Sequence, residues 1–142
     1  MRALLDVNVL IALLDADHMS HPSALAWFSA NAAAGWASCA ITQNGCLRIM
    51  SMPGYPNARP VHEIAKRLRE ATAAPVHEFW LDEVSSLDEE RIDTSRIHSP
   101  RQLTDVYLLA LAVRHRGRLV TFDRSIARDA VTGAAASSLV AL

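Results

Sequence analysis

Short apolar runs that do not alternate with polar residues recur along this chain, and they constrain its fold more than any other feature. The first is Ala3-Leu4-Leu5, which directly precedes an aspartate. A strand that is apolar on both faces is typical of a parallel sheet covered by helices on both sides. The sequence predicts such strands at 3–5, 36–41, 76–81, 118–122 and, at one edge, 138–142.

Helical patterns separate these strands. Eight consecutive apolar residues at 106–113 predict a buried helix from Thr104 to Arg116, because basic residues and Gly117 follow the run. Further helices are predicted after Asp6, from Ser20 towards Gly35, from a capping Thr42 to Met52, and from Pro60 onward. The alternation predicts an α/β fold, a single domain over 1–142 with a mainly parallel central sheet flanked by helices.

The charges nearly cancel. The chain has 14 Lys+Arg and 15 Asp+Glu, a net charge of −1, which excludes a protein that coats nucleic acid by bulk positive charge. Arginines are concentrated between Arg101 and Arg128, so any contact with nucleic acid must be local. No stretch approaches the ~18 apolar residues of a membrane span, and we expect a soluble, cytoplasmic protein without a membrane partner.

Acidic residues stand where the predicted elements meet. Asp6 and Asp123 follow predicted strands, and Asp105 begins the apolar helix, so all three are expected at one edge of the sheet. Taken singly, each could be a helix cap or a turn residue. Together, clustered carboxylates need a cation, and oxygen ligands favour Mg²⁺, with Mn²⁺ as a possible substitute. Such a site suits hydrolysis of a phosphodiester bond.

The segments around these acids resemble a known family. Leu4–Leu10, Leu103-Thr104-Asp105 and Val120–Arg124 are similar to the three acidic motifs of PIN-domain ribonucleases, specifically the VapC toxins of toxin–antitoxin pairs. The resemblance spans nearly the whole chain. It implies a Mg²⁺-dependent endoribonuclease that cuts tRNA or rRNA with a metal-activated water, leaving a 5′-phosphate and a 3′-hydroxyl. It also implies a homodimer and a VapB-type antitoxin that blocks the site.

The resemblance assigns roles to individual residues. Asp6 and Asp105 are expected as direct metal ligands and catalytic residues, with Asp123 binding the metal directly or through water. Residues that could orient ligands or contact the substrate phosphate are Asn8, Thr121, Arg124 and Ser125. Arg114, Arg116 and Arg118 could also contact phosphates, or they could be solvated charges at a helix end.

One position departs from the family pattern. The usual second acid is a glutamate early in the helix after the second strand, where this chain offers Gln43 or Asn44. An amide is a neutral ligand, so the change argues against a second metal ion, whereas one Mg²⁺ on the three aspartates remains chemically sensible. If Gln43 supports the site, Gln43→Glu should tighten metal binding.

Other interpretations remain open. The replaced glutamate also fits a degenerate PIN module that binds RNA or a protein partner with little or no cleavage. Trp27 and Phe28 could line a groove for an antitoxin helix or could pack in the core. An aspartyl-phosphate phosphatase is disfavoured because those enzymes carry a D-x-D motif, and Asn8 stands where the second aspartate would be. A receiver domain is disfavoured because it needs a lysine on a late strand, and Lys66, the sole lysine, lies on a predicted helix in the middle of the chain.

Overall fold

The fold is built on one parallel sheet. A computed structural model describes all 142 residues and contains five strands, every neighbouring pair of which is parallel, in the order β3-β2-β1-β4-β5. The strands are β1 (Ala3–Leu5), β2 (Trp36–Cys39), β3 (His77–Trp80), β4 (Arg118–Thr121) and β5 (Leu139–Ala141). The predicted α/β class and the parallel sheet are confirmed, and β5 lies at an edge as expected.

Helices cover both faces of the sheet. They are α1 (Val7–Leu14), α2 (His21–Asn31), α3 (Ala40–Ser51), α4 (Val61–Thr72) and α5 (Leu103–Arg114). Along β1, Leu4 packs in the cluster that contains α5, whereas Ala3 and Leu5 pack in the cluster that contains α1 and α3. This explains why the strands carry apolar residues without alternation. None of these helices has the length and apolar character that crossing a bilayer demands.

The long apolar run forms α5, as predicted. Its residues from Val106 to Ala112 are all buried, because the helix lies across the centre of one sheet face and contacts β1 and β4. The helix begins at Leu103, one residue earlier than predicted, and ends at Arg114. Asp105 therefore lies in its first turn.

The junction of β2 and α3 differs from the prediction. The strand ends at Cys39 and the helix begins at Ala40, so Ile41 is helical and Thr42 is not the N-terminal cap. The Thr42 hydroxyl instead accepts a hydrogen bond from the Cys39 backbone N–H at 3.0 Å, on the third residue of the helix. A side chain at the third helical position that bonds back to the N-cap residue satisfies the backbone N–H of that residue, as in a capping box.

Candidate active site

Asp6 stands at the carboxyl end of the central strand β1 and caps α1. The residue is 6% exposed, and its side chain accepts hydrogen bonds from the Val7 backbone N–H at 2.7 Å and from the Thr121 hydroxyl at 2.6 Å. Burial raises the pKa of Asp6 above its ordinary value, although both hydrogen bonds act in the opposite direction. The nearby charge of Asp123 raises it further.

The Thr121 hydroxyl connects three parts of this site. It donates to Asp6 and accepts from the Asn8 side-chain amide at 3.1 Å and from the Asp123 backbone N–H at 3.0 Å. Asn8 in turn accepts from the Phe122 backbone N–H at 3.2 Å. The end of β4 and the start of α1 are therefore fixed together by side chains that the sequence predicted as supporting residues.

Asp123 is held by its own turn. One carboxylate oxygen accepts from the backbone N–H of Ser125 at 2.7 Å and from its hydroxyl at 2.6 Å. These hydrogen bonds hold the pKa of Asp123 below its ordinary value, so the group is charged at neutral pH. Arg124 beside it is exposed, and its guanidinium donates to the Leu142 carbonyl at 3.5 Å.

Asp105 approaches the other two acids from α5. Burial, followed by the charges of Asp6 and Asp123, raises the pKa of Asp105 to about 6. No protein hydrogen bond contributes to this shift. The structure thus brings together carboxylates from the ends of two strands and the start of one helix, and at Asp105 no protein hydrogen bond offsets their repulsion.

The acids do not enclose an ion by themselves. No group of three His, Cys, Asp or Glu side chains is arranged so that it could hold a metal ion alone. Mg²⁺ is commonly bound by one or two carboxylates, with water and substrate phosphates as its remaining ligands. The donor chemistry of the coupled aspartates, one of them without a protein partner, fits that type of site.

Gln43 lies outside this site. Its amide donates to the Ser38 hydroxyl at 2.9 Å, and that hydroxyl is 2.8 Å from the His77 ring. The side chain also lines a groove between α3 and α4 with Leu47 and Leu68. No contact joins Gln43 to the acids, so the structure does not bear out the prediction that it supports them, because the turn of the helix directs this position towards α4.

The late arginine group lies at the other end of the sheet. Arg118 is the first residue of β4, where it donates to Asn31 at 2.9 Å and lies 5.2 Å from the Trp27 ring centre. Arg114 ends α5, whose first turn carries Asp105, and pairs with Glu83 at 3.9 Å. The structure therefore does not place this arginine group beside the acids, where it could contact a bound phosphate.

One contact at the site had no signal in the sequence. The Gln102 side-chain amide donates to the Ser125 carbonyl at 2.9 Å and so joins the start of α5 to the turn of Asp123. The residues are far apart in sequence, and a glutamine before a helix is commonplace. Only the fold brings them together.

Comparisons with known proteins agree with this geometry. A family model described as PIN domain matches residues 3–131. The chain is 57% identical over 142 residues to Ribonuclease VapC44 of Mycobacterium tuberculosis, covering 100% of both chains. It is 40% identical over 134 residues to Ribonuclease VapC39 of the same organism, covering 94% of this chain and 96% of that one. The crystal structure of VapBC2 from Rickettsia felis bound to a DNA fragment from their promoter contains a similar fold, with a TM-score of 0.58 and 12% identity, covering 100% of this chain and 98% of that one.

Proposed function

The chain belongs to the PIN-domain family, among its VapC ribonucleases, and is thereby an endoribonuclease of the toxin–antitoxin type. On this premise we propose that it hydrolyses RNA phosphodiester bonds with Mg²⁺ bound at Asp6, Asp105 and Asp123. One observation carries the proposal. Carboxylates from three separate elements meet at one edge of the sheet. There burial and the charges of Asp6 and Asp123 raise the pKa of Asp105 to about 6. Such repulsion is relieved when a cation binds.

The residues would divide the work as follows. Asp6 and Asp105 would hold the cation directly, and Asp123 would hold it directly or through water. When bound, Mg²⁺ polarises phosphoryl oxygens and lowers the pKa of a coordinated water. Mn²⁺ offers a similar preference for oxygen ligands and is expected to substitute.

The supporting side chains keep the acids ready for that task. The Thr121 hydroxyl fixes one oxygen of Asp6, so the carboxylate cannot rotate freely when substrate binds. Ser125 fixes one oxygen of Asp123 and leaves the other available. Held in this way, the acids need little reorganisation when a cation and a phosphate arrive, which is the advantage of a preorganised polar site.

We also propose a VapB-type antitoxin as the protein partner. An apolar groove of about 210 Å³ lies on the α1–α2–α4 side and includes Leu14, Leu25, Phe28 and Leu68. A groove of this kind suits the apolar face of a helix. Phe28 lines this groove and also packs edge-on against Trp36, whereas Trp27 lies beneath Arg118. A homodimer and cleavage of tRNA or rRNA are further proposals that follow from the family.

Cleavage by the antitoxin-free protein tests the proposed activity. We expect structured RNA to be cut with Mg²⁺ or Mn²⁺, and the rate to fall by about 100-fold or more in Asp6→Asn and Asp105→Asn, because each loses a charged ligand. Asp82→Asn is the matched control: this exposed acid follows β3 and does not contribute to the pKa shifts of Asp6 or Asp105. Equal activity in all variants would exclude the site.

The same assay distinguishes the binding-module alternative. In that case the protein would retain its affinity for RNA or for a protein partner, while no divalent ion would support cleavage. Helix α3 contains no acidic residue, and its Gln43 bonds to Ser38, which is the observation that keeps this alternative worth testing.

A further inference from the structure

Two chain segments, 91–105 and 121–132, flank the acids and are joined at three places. Far from the acids, Ile92 and Val131 form an isolated antiparallel bridge, and the Asp93 backbone N–H donates to the Ala130 carbonyl at 2.8 Å. Next to the acids, the only side-chain connection between these segments is the hydrogen bond from Gln102 to the Ser125 carbonyl. The segments are therefore joined by backbone at one end, by the ion pair of Arg96 with Asp129 at 3.4 Å, and by Gln102 next to the acids.

We propose that Gln102 is a positioning residue that sets the separation of the Asp105 and Asp123 carboxylates. Its own backbone leads straight into α5 with helical dihedral angles, φ −83° and ψ −10°, and Asp105 follows in the first turn. This inference rests on the proposed function, because the separation matters only if both carboxylates act on one cation.

On the other side, the link reaches Asp123 through one residue. Ser125 receives the bond from Gln102 on its carbonyl and uses its N–H and hydroxyl to hold Asp123 at 2.7 and 2.6 Å. A shift of the Ser125 backbone therefore moves the Asp123 carboxylate with it. Thr121 ties Asp123 to Asp6 by a separate route, which leaves Gln102 as the side chain that ties it to α5.

A buried atom of Gln102 makes the test clean. Its side-chain carbonyl oxygen is buried and has no hydrogen-bond partner. Replacing Gln102 with methionine, which has a similar shape, removes the bond to Ser125 and also removes this unsatisfied acceptor, so the two effects on stability oppose each other. Ser125 is an exposed residue, so its carbonyl can then bond to water. Gln102→Met should therefore fold with a nearly unchanged unfolding temperature.

Titration calorimetry of the full-length, antitoxin-free protein with Mn²⁺ tests this role. We expect the dissociation constant to rise about tenfold in Gln102→Met, since residues that orient metal ligands have effects of this order. Gln43→Met is the matched control. It also removes one hydrogen bond of 2.9 Å that a glutamine amide donates, in this case to the Ser38 hydroxyl, away from the acids. It should bind Mn²⁺ like the wild type.

RNA cleavage supplies a second readout. In Gln102→Met, kcat should fall at low Mn²⁺ and recover at saturating Mn²⁺, with the KM for RNA unchanged. Adding Ser125→Ala should produce little further loss of Mn²⁺ affinity, because both changes loosen the same turn. Wild-type Mn²⁺ affinity in Gln102→Met, or an equal loss in Gln43→Met, would overturn the inference. If the wild type itself binds no Mn²⁺, or Asp6→Asn binds it as well as the wild type, the proposed function fails instead.

Discussion

At the scale of single residues, the acids of this site are distinguished by what holds each of them. Asp6 and Asp123 accept hydrogen bonds from Thr121 and Ser125, whereas no protein hydrogen bond stabilises the charge of Asp105. The pKa of Asp123 is consequently lowered and that of Asp105 is raised to about 6. Asp105 is therefore the group whose charge depends most on a bound cation.

Replacing Asp105 should stabilise the metal-free protein in a pH-dependent manner. Because its folded pKa of about 6 exceeds the ordinary value of 3.8, the stability due to this group is fully present below about pH 3.8 and is lost as the pH rises through about 6. Solvent screens part of the effect at this half-buried position. We expect Asp105→Asn to unfold about 2–4 °C higher than the wild type at pH 7.5, roughly 1 kcal/mol, and at nearly the same temperature at pH 4.

Thermal unfolding in EDTA measures this difference. Added Mg²⁺ should raise the unfolding temperature of the wild type more than that of the variant, because only the wild type keeps the full set of charges. A variant less stable than the wild type at pH 7.5 would show that Asp105 is not under repulsion.

The position of Gln43 reverses a prediction made from the sequence. We now expect Gln43→Glu to leave the affinity for Mn²⁺ unchanged, because the side chain contacts Ser38 and faces the α3–α4 groove. Titration calorimetry measures the affinity, with Asp6→Asn as the variant that should lose it. Tighter binding in Gln43→Glu would mean that the side chain can turn towards the acids.

At the scale of elements, the close contact of α1 and α3 fixes the position of the helix that Asp6 caps. Gly45 lies against Val7, which follows Asp6, and a Cβ at Gly45 would come within 2.7 Å of a Val7 methyl group. The two helices can therefore approach only because position 45 lacks a side chain. This contact fixes the start of α1, where the Asp6 carboxylate lies.

A larger residue at Gly45 should push these helices apart. We expect Gly45→Leu to destabilise the fold by about 1–3 kcal/mol, the usual effect of overpacking, and to reduce cleavage. Chemical denaturation measures the stability. Gly54→Leu is the control, since nothing lies within 4 Å of a Cβ there, and it should be nearly neutral. Equal stability of the two variants would show that α1 and α3 can adjust freely.

At the scale of the whole molecule, the two ends of the sheet differ in charge. The acids occupy the carboxyl ends of β1 and β4, whereas Arg116 and Arg118 lie where β4 begins. Arg118 is engaged with Asn31 and Trp27, and Arg114 with Glu83. The near-zero net charge of the chain thus includes an acidic cluster at one end of the sheet and an arginine group at the other.

RNA binding should depend on the arginine beside the acids and not on the distant group. In an Asp6→Asn background, which prevents cleavage, we expect Arg124→Gln to weaken binding of total tRNA and to lower the slope of affinity against salt by about 1. Arg116→Gln, which removes another exposed charge at the other end, should have no effect. Salt-dependent binding assays decide the matter, and the opposite ranking would place the RNA track at the far end.

The sequence by itself determined the class of fold and the membership of the acidic site. Short apolar runs without alternation are typical of strands buried between two layers of helices, and parallel strands present their carboxyl ends at one edge. Asp6, Asp105 and Asp123 were therefore predictable, and so was α5 from the length of its apolar run and the residues that end it.

The tertiary structure alone decided which side chains touch. The helical phase set by the end of β2 at Cys39 turned Gln43 towards α4, and the direction of β4 placed the late arginines opposite the acids. The bond from Gln102 to Ser125 joins residues on separate loops whose meeting depends on the packing of the whole domain. Local sequence encodes where strands and helices form, but contacts between distant loops depend on relative positions that only the packed core fixes.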